Sequence, residues 1–158
     1  MNKRGQGWGF DLFIALFLFF AGIVLFYFYS LNSNLDFTDS LDSMNYDGKL
    51  ISESLLSEGI PENWTRNSVV EVGLVDEGQI NQTKLDEFYL LSSEYQRTRI
   101  ILGTKYNFFI NISGGLEANG TSIAGIGLEP TSPKNLIRVS RLTIYNNKPA
   151  NLDVLIWN

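Results

Sequence analysis

The chain of 158 residues contains no cysteine and no histidine. The first absence excludes disulfides and thiol nucleophiles, and the two together exclude Cys/His zinc sites and Ser-His-Asp triads. Basic clusters are missing as well. The formal charge is −5; Lys3, Arg4 and Asp11 together contribute +1, which leaves −6 on the rest. An acidic remainder without a Lys/Arg patch is unsuited to neutralising phosphates, so neither nucleic acid nor an anionic lipid surface is an expected ligand of it. Carboxylates are what remains for chemistry. Asp76, Glu77, Asp86, Glu87 and Glu94 match no ion-loop spacing, and a turn and a solvated helix face account for them. The expectation is a protein that is not an enzyme and holds no cofactor and no metal.

Charge is also absent from one long stretch, between Asp11 and Asp36. From Leu12 to Leu31 only Gly22 and Ser30 fall outside the apolar and aromatic classes, and seven of the eleven phenylalanines lie between Phe10 and Phe28. About 20 helical residues span roughly 30 Å, the hydrocarbon thickness of a bilayer. Lys3 and Arg4 precede this stretch, so the positive-inside rule places the N-terminus in the cytoplasm and all that follows Leu31 outside. Trp8 stands at the inner edge and Tyr27 and Tyr29 near the outer one, as interfacial aromatics do. Ser30-Leu31-Asn32 is a poor site for conventional signal cleavage, so the apolar helix is expected to stay on the chain. Gly7, Gly9, Ala15, Ala21 and Gly22 are small enough to admit close helix neighbours, without forming a regular small-xxx-small pattern.

Residues 32–58 run without proline. Phe37, Leu41, Met44, Gly48, Ile51 and Leu55 follow at alternating steps of four and three, a narrow apolar seam between charged faces. Gly59 and Pro61 are stop signals, with Ile60 expected to fold back on Leu55. The spacing predicts a helix from Phe10 to Glu58, continuous or gently kinked, with Asn32-Ser33-Asn34 and Asp47-Gly48 as weak points; the alternative is two helices, one spanning and one packed on a head domain.

Beyond Pro61 the period shortens. Val69–Val75 reads as a β-like run ending at a turn around Asp76-Glu77-Gly78. Thr83 to Leu102 reads as one helix with Thr83 as its cap and Leu85, Phe88, Tyr89, Ser92, Tyr95 and Arg99 on one face. Lys105–Ser113 alternates as a strand, broken on its polar side only by Phe109. Residues 114–135 read as a long loop with a short strand at Ser122–Leu128. Leu136–Tyr145 and Leu152–Trp157 form a hairpin across Asn146-Asn147-Lys148-Pro149. The expected fold is α+β: a long N-terminal apolar helix carrying a small antiparallel β-rich head domain with one additional helix. Four N-glycosylation sequons, at Asn63, Asn81, Asn111 and Asn119, all lie downstream of the apolar run.

Taken together, Lys3-Arg4-Gly5-Gln6, a carboxylate shortly after and about 20 apolar residues resemble the class III signal peptides of archaeal type IV pilin-like proteins. Ser57-Glu58-Gly59-Ile60-Pro61-Glu62-Asn63-Trp64 and the strand ending in Trp157 are similar to stretches in the same family. The resemblance implies cleavage after Gly5 by a membrane prepilin peptidase, leaving Gln6 first. It divides the chain into a leader (1–5), a membrane and filament-core helix (6–58) and an extracellular head (59–158). The helix would wait in the membrane as a precursor and then bundle with copies of itself in a filament at the cell surface, serving adhesion or attachment. Many family members carry an acidic residue at the fifth mature position; here that place is Phe10, and Asp11 is sixth. Asp11 either faces headgroups and water at the membrane edge or pairs with the freed Gln6 ammonium of a neighbour, which would favour one packing register. Two further readings stand beside this one: an uncleaved, signal-anchored surface protein with a binding ectodomain, and a minor pilin of a secretion or surface machine.

Overall fold

The computed structural model describes residues 5–32 and 35–158, with side chains described over 9–30 and 40–158. The chain divides into two compact units, Met1–Ser40 and Leu41–Asn158.

The first unit holds helix α1, Gly5–Asn32, and the start of α2, Leu35–Leu55. α1 is long and apolar on every side, so no single stripe of it could face a core. The expected weak point at Ser33-Asn34 lies outside the described residues, and so does the side chain of Phe37. Asp47-Gly48, the other expected weak point, lies inside α2 without interrupting it, and α2 ends at Leu55 rather than Glu58.

The second unit is built on a four-stranded antiparallel sheet. β3 (Asn107–Ile112), β6 (Ile126–Gly127), β7 (Leu136–Tyr145) and β8 (Lys148–Trp157) stand in the order β6-β3-β8-β7. Two small hairpins flank it: β1 (Val75–Asp76) with β2 (Gln79–Ile80), and β4 (Leu116–Ala118) with β5 (Thr121–Ile123). α3 (Gln82–Ser92) and α4 (Tyr95–Ile101) complete it. The layout is α+β.

Strand alternation decides which face is inside. Phe108, Ile110 and Ile112 of β3 and Leu152, Val154 and Ile156 of β8 are buried, while their odd-numbered neighbours point the other way. The seam of α2 lies on this inner face. Met44, Ile51 and Leu55 are buried, and a Cβ on Gly48 would stand 3.0 Å from Val139 Cγ2 and 3.4 Å from Ile156 Cγ1. The glycine therefore marks the close approach of helix to sheet. Leu85, Phe88 and Leu91 of α3 join the same core, and Tyr95 of α4 stacks on Phe108 at 5.1 Å. Each fully buried side chain of this kind contributes about 1.5–3 kcal/mol by leaving water.

Six expectations need correcting. Val69–Val75 is not a continuous strand: Glu71 makes one isolated bridge to Ile60, and only Val75 enters β1. Residues 114–135 hold three short strands, β4, β5 and β6, in place of one at Ser122–Leu128, because the left-handed Asn119-Gly120 turn folds β4 back on β5 and β6 pairs with β3. Thr83–Leu102 is two helices: Leu91 O accepts from the Thr98 hydroxyl (2.8 Å) and from Glu94 N (2.9 Å), and the chain turns at Ser93-Glu94. The cap is Asn81, whose Oδ1 accepts from Thr83 N and Lys84 N, a better capping geometry than Thr83 itself provides. Ile60 does not return to Leu55. It is exposed and its backbone pairs with Glu71, while Leu55 O receives Leu74 N. The reason is a backbone crossing: Gly59 takes φ +78°, and a Cβ on Gly73 would lie 2.1 Å from Gly59 N. Finally, β8 begins at Lys148, because the Asn146-Asn147 turn needs only those two left-handed residues (φ 51° and 59°).

Candidate functional site: the uncovered apolar helix and the head faces

In α1, residues Gly9–Ser30 form the one described helix long and apolar enough to cross a membrane, and none of it is buried within the molecule. At about 1.5 Å per residue its 22 residues extend roughly 33 Å. Phe10, Phe13, Phe17, Phe26 and Phe28 are each more than three-fifths exposed. A Cβ added to Gly9 or Gly22 would meet nothing within 4 Å. Such an apolar surface is stable only against lipid or against other apolar helices, since water penalises it by about 25 cal/mol per Å².

Gly5 is the first residue of α1, which puts the Gly5–Gln6 bond in the first helical turn. Asp11 lies in the second turn and is exposed. Lys3 and Arg4 lie outside the described residues.

In the second unit the stretch Ser57–Trp64 forms a closed structure. Trp64 is buried and its Nε1 donates to Gly73 O at 2.8 Å; Gly59 N donates to Ser57 Oγ at 3.1 Å. Lys84, buried, donates from Nζ to Glu58 O and to Val75 O, both at 2.9 Å, joining the segment after α2, β1 and α3.

The acidic residues are engaged in holding loops. Asp86 Oδ1 accepts from Gln82 Nε2 (2.9 Å) and Asn119 N (2.8 Å), Glu87 Oε2 accepts from Arg66 N (2.7 Å), and Glu94 pairs with Arg97 at 3.1 Å. Asp76 and Glu77 form the β1–β2 turn, where Glu77 and Gly78 take φ 48° and 80°.

A feature that sequence reasoning missed lies on the outer face of the sheet. Asp153 of β8 is buried there, with Ser140 Oγ donating to Oδ1 and Arg138 Nη2 to Oδ2, both at 2.5 Å. Burial pushes its carboxyl up, yet the hydrogen bonds from Arg138 and Ser140 and the Arg138 charge outweigh that and hold it below the ordinary 3.8. The signal was the register of the hairpin, which sets Ser140 opposite Asp153. Phe109, the break in the alternation of β3, lies over Gly125, where a Cβ would be 2.3 Å from its ring.

The structure separates the four sequon asparagines into two exposed, Asn63 and Asn119, and two partly buried, Asn81 and Asn111. Comparison with family models, with curated proteins and with solved structures finds no match to this chain.

Proposed function

We propose that this chain is a structural subunit of an archaeal type IV pilus-like filament. It is made as a membrane-spanning precursor, cut after Gly5 by a prepilin peptidase and polymerised through α1 for adhesion or surface attachment. The observation that carries this reading is an apolar helix of 22 residues, none of it buried among the described residues, preceded by Lys3-Arg4-Gly5-Gln6. A membrane satisfies that surface before cleavage, and copies of the same helix satisfy it afterwards. The second unit has its own core and is free to serve as the exposed head.

Intact-mass measurement of the membrane and sheared-filament fractions tests this. The expected chain begins at Gln6 in filaments, and Gly5→Ala abolishes both the cut and assembly. A chain beginning at Met1 or Asn2, with no filament fraction, overturns the proposal in favour of a single-pass, signal-anchored surface protein.

A further inference from the structure

Transfer of a sugar to asparagine needs the side-chain amide nitrogen and the hydroxyl two residues on to be reachable together from solvent on an exposed loop. The four sequons differ in this respect, although their sequences do not reveal it. Asn81 has both ends of its amide engaged: Oδ1 caps α3, and Nδ2 donates to Asp76 Oδ2 at 3.1 Å. Asn111 lies in β3 opposite Asp153, its Oδ1 is buried, and the Ser113 hydroxyl already accepts from Asn151 N at 2.7 Å. Asn63 is exposed in the loop after Pro61, and Thr65 beyond it is exposed too, its hydroxyl sharing a 3.1 Å hydrogen bond with the equally exposed Ser68 hydroxyl, a bond that water or an incoming group can replace. Asn119 is exposed at the β4–β5 turn, where Asn119 and Gly120 take φ 50° and 72°, and Thr121 is exposed.

The two accessible sequons also share a neighbour. Arg66 N, next to the first, donates to Glu87, and Asn119 N donates to Asp86, so both are fastened to consecutive residues of α3. We infer that Asn63 and Asn119 are N-glycosylated and that Asn81 and Asn111 are not, so that two glycans flank the Asp86-Glu87 side of α3. In the transfer, Asn Nδ2 forms a bond to the anomeric carbon of a polyprenyl-phosphate-linked oligosaccharide. The bond from that carbon to the phosphate oxygen breaks, the lipid phosphate leaves, and the amide proton passes to a base of the transferase. The glycans close this side of α3 to protein contacts. Neighbouring heads in a filament then meet on other surfaces.

The inference rests on the exported reading given above, and one experiment separates their failures. Protein from native membranes and filaments is digested at Lys/Arg and after Glu117, which puts each sequon on its own peptide, and the N-terminal peptide is read in the same mass spectrum. Sugar on Asn63 and Asn119 with bare Asn81 and Asn111 is the expected result. Bare Asn63 or Asn119, or sugar on Asn81 or Asn111, overturns it. Those patterns on a chain beginning at Gln6 overturn the glycan inference alone; the expected pattern on a chain beginning at Met1 overturns the cleavage reading alone. Asn63→Gln and Thr121→Val each remove one glycan mass with an unchanged melting temperature after deglycosylation, whereas Asn81→Gln leaves the glycan mass as it was.

Discussion

α1 and the part of α2 that belongs to the second unit are both helices, and they handle apolar surface in opposite ways. α2 concentrates it into a seam, with Met44, Gly48, Ile51 and Leu55 facing a sheet that fits them. α1 spreads it around the whole circumference and leaves it exposed. A stripe asks for one neighbour and finds it inside the molecule. A helix apolar all round asks for neighbours on every side, which a chain of this size does not supply. The apolar pattern therefore tells whether a helix's partner is internal or external before any partner is known.

Several changes break this contrast or sharpen it. The largest effect is expected from Gly73→Ala, which puts a Cβ 2.1 Å from Gly59 N and 2.4 Å from Ser57 O. It should destabilise the second unit by about 4 kcal/mol or more, read as lost cooperative melting, while membrane insertion of α1 is unaffected. Leu18→Asp is the reverse case. A carboxylate at the middle of α1 should cost membrane insertion about 3 kcal/mol and shift the chain out of the membrane fraction, with the melting temperature of the second unit unchanged. If that temperature falls as well, the two regions are not independent.

Smaller effects refine the picture within the second unit. Asn81→Ala removes the cap of α3 and should lower stability by about 1 kcal/mol in urea unfolding. Asp153 adds a pH dependence. Its carboxyl is held below the ordinary value, so its contribution is fully present above pH 3.8 and is lost as the pH falls through the lower folded value. Asp153→Asn should lower the melting temperature at neutral pH, flatten the acid limb of the profile and converge with the parent at low pH.

Much of this arrangement is legible from residue spacing. The seam of α2, the inner face of β3 and the β7–β8 hairpin follow directly from periods of about 3.5 and 2. What escaped the sequence was decided by tertiary competition. Ser92-Ser93 offers the backbone other partners, and the buried Thr98 hydroxyl takes the Leu91 carbonyl that a continuing helix would have used. Pro149 looked like part of a turn, but β3 pairs with β8 only from Leu152 onward, so the proline sits where β8 has one neighbour and its missing N–H costs little. The Asp153 cluster requires knowing which residues face each other across strands. The exposure of the four sequons lies beyond any local pattern, because Asn81 and Asn119 differ mainly in what the rest of the fold brings to them.

Lys84 makes the second unit self-reporting. Its amine is shielded and tied to two carbonyls from separate segments, whereas other lysines such as Lys49 and Lys148 are exposed. A mild acylating reagent should label those at once and reach Lys84 only when α3 parts from β1 and the segment after α2. The rate of labelling at that one amine would follow opening of the second unit within crude membrane preparations, where optical melting is hard to read.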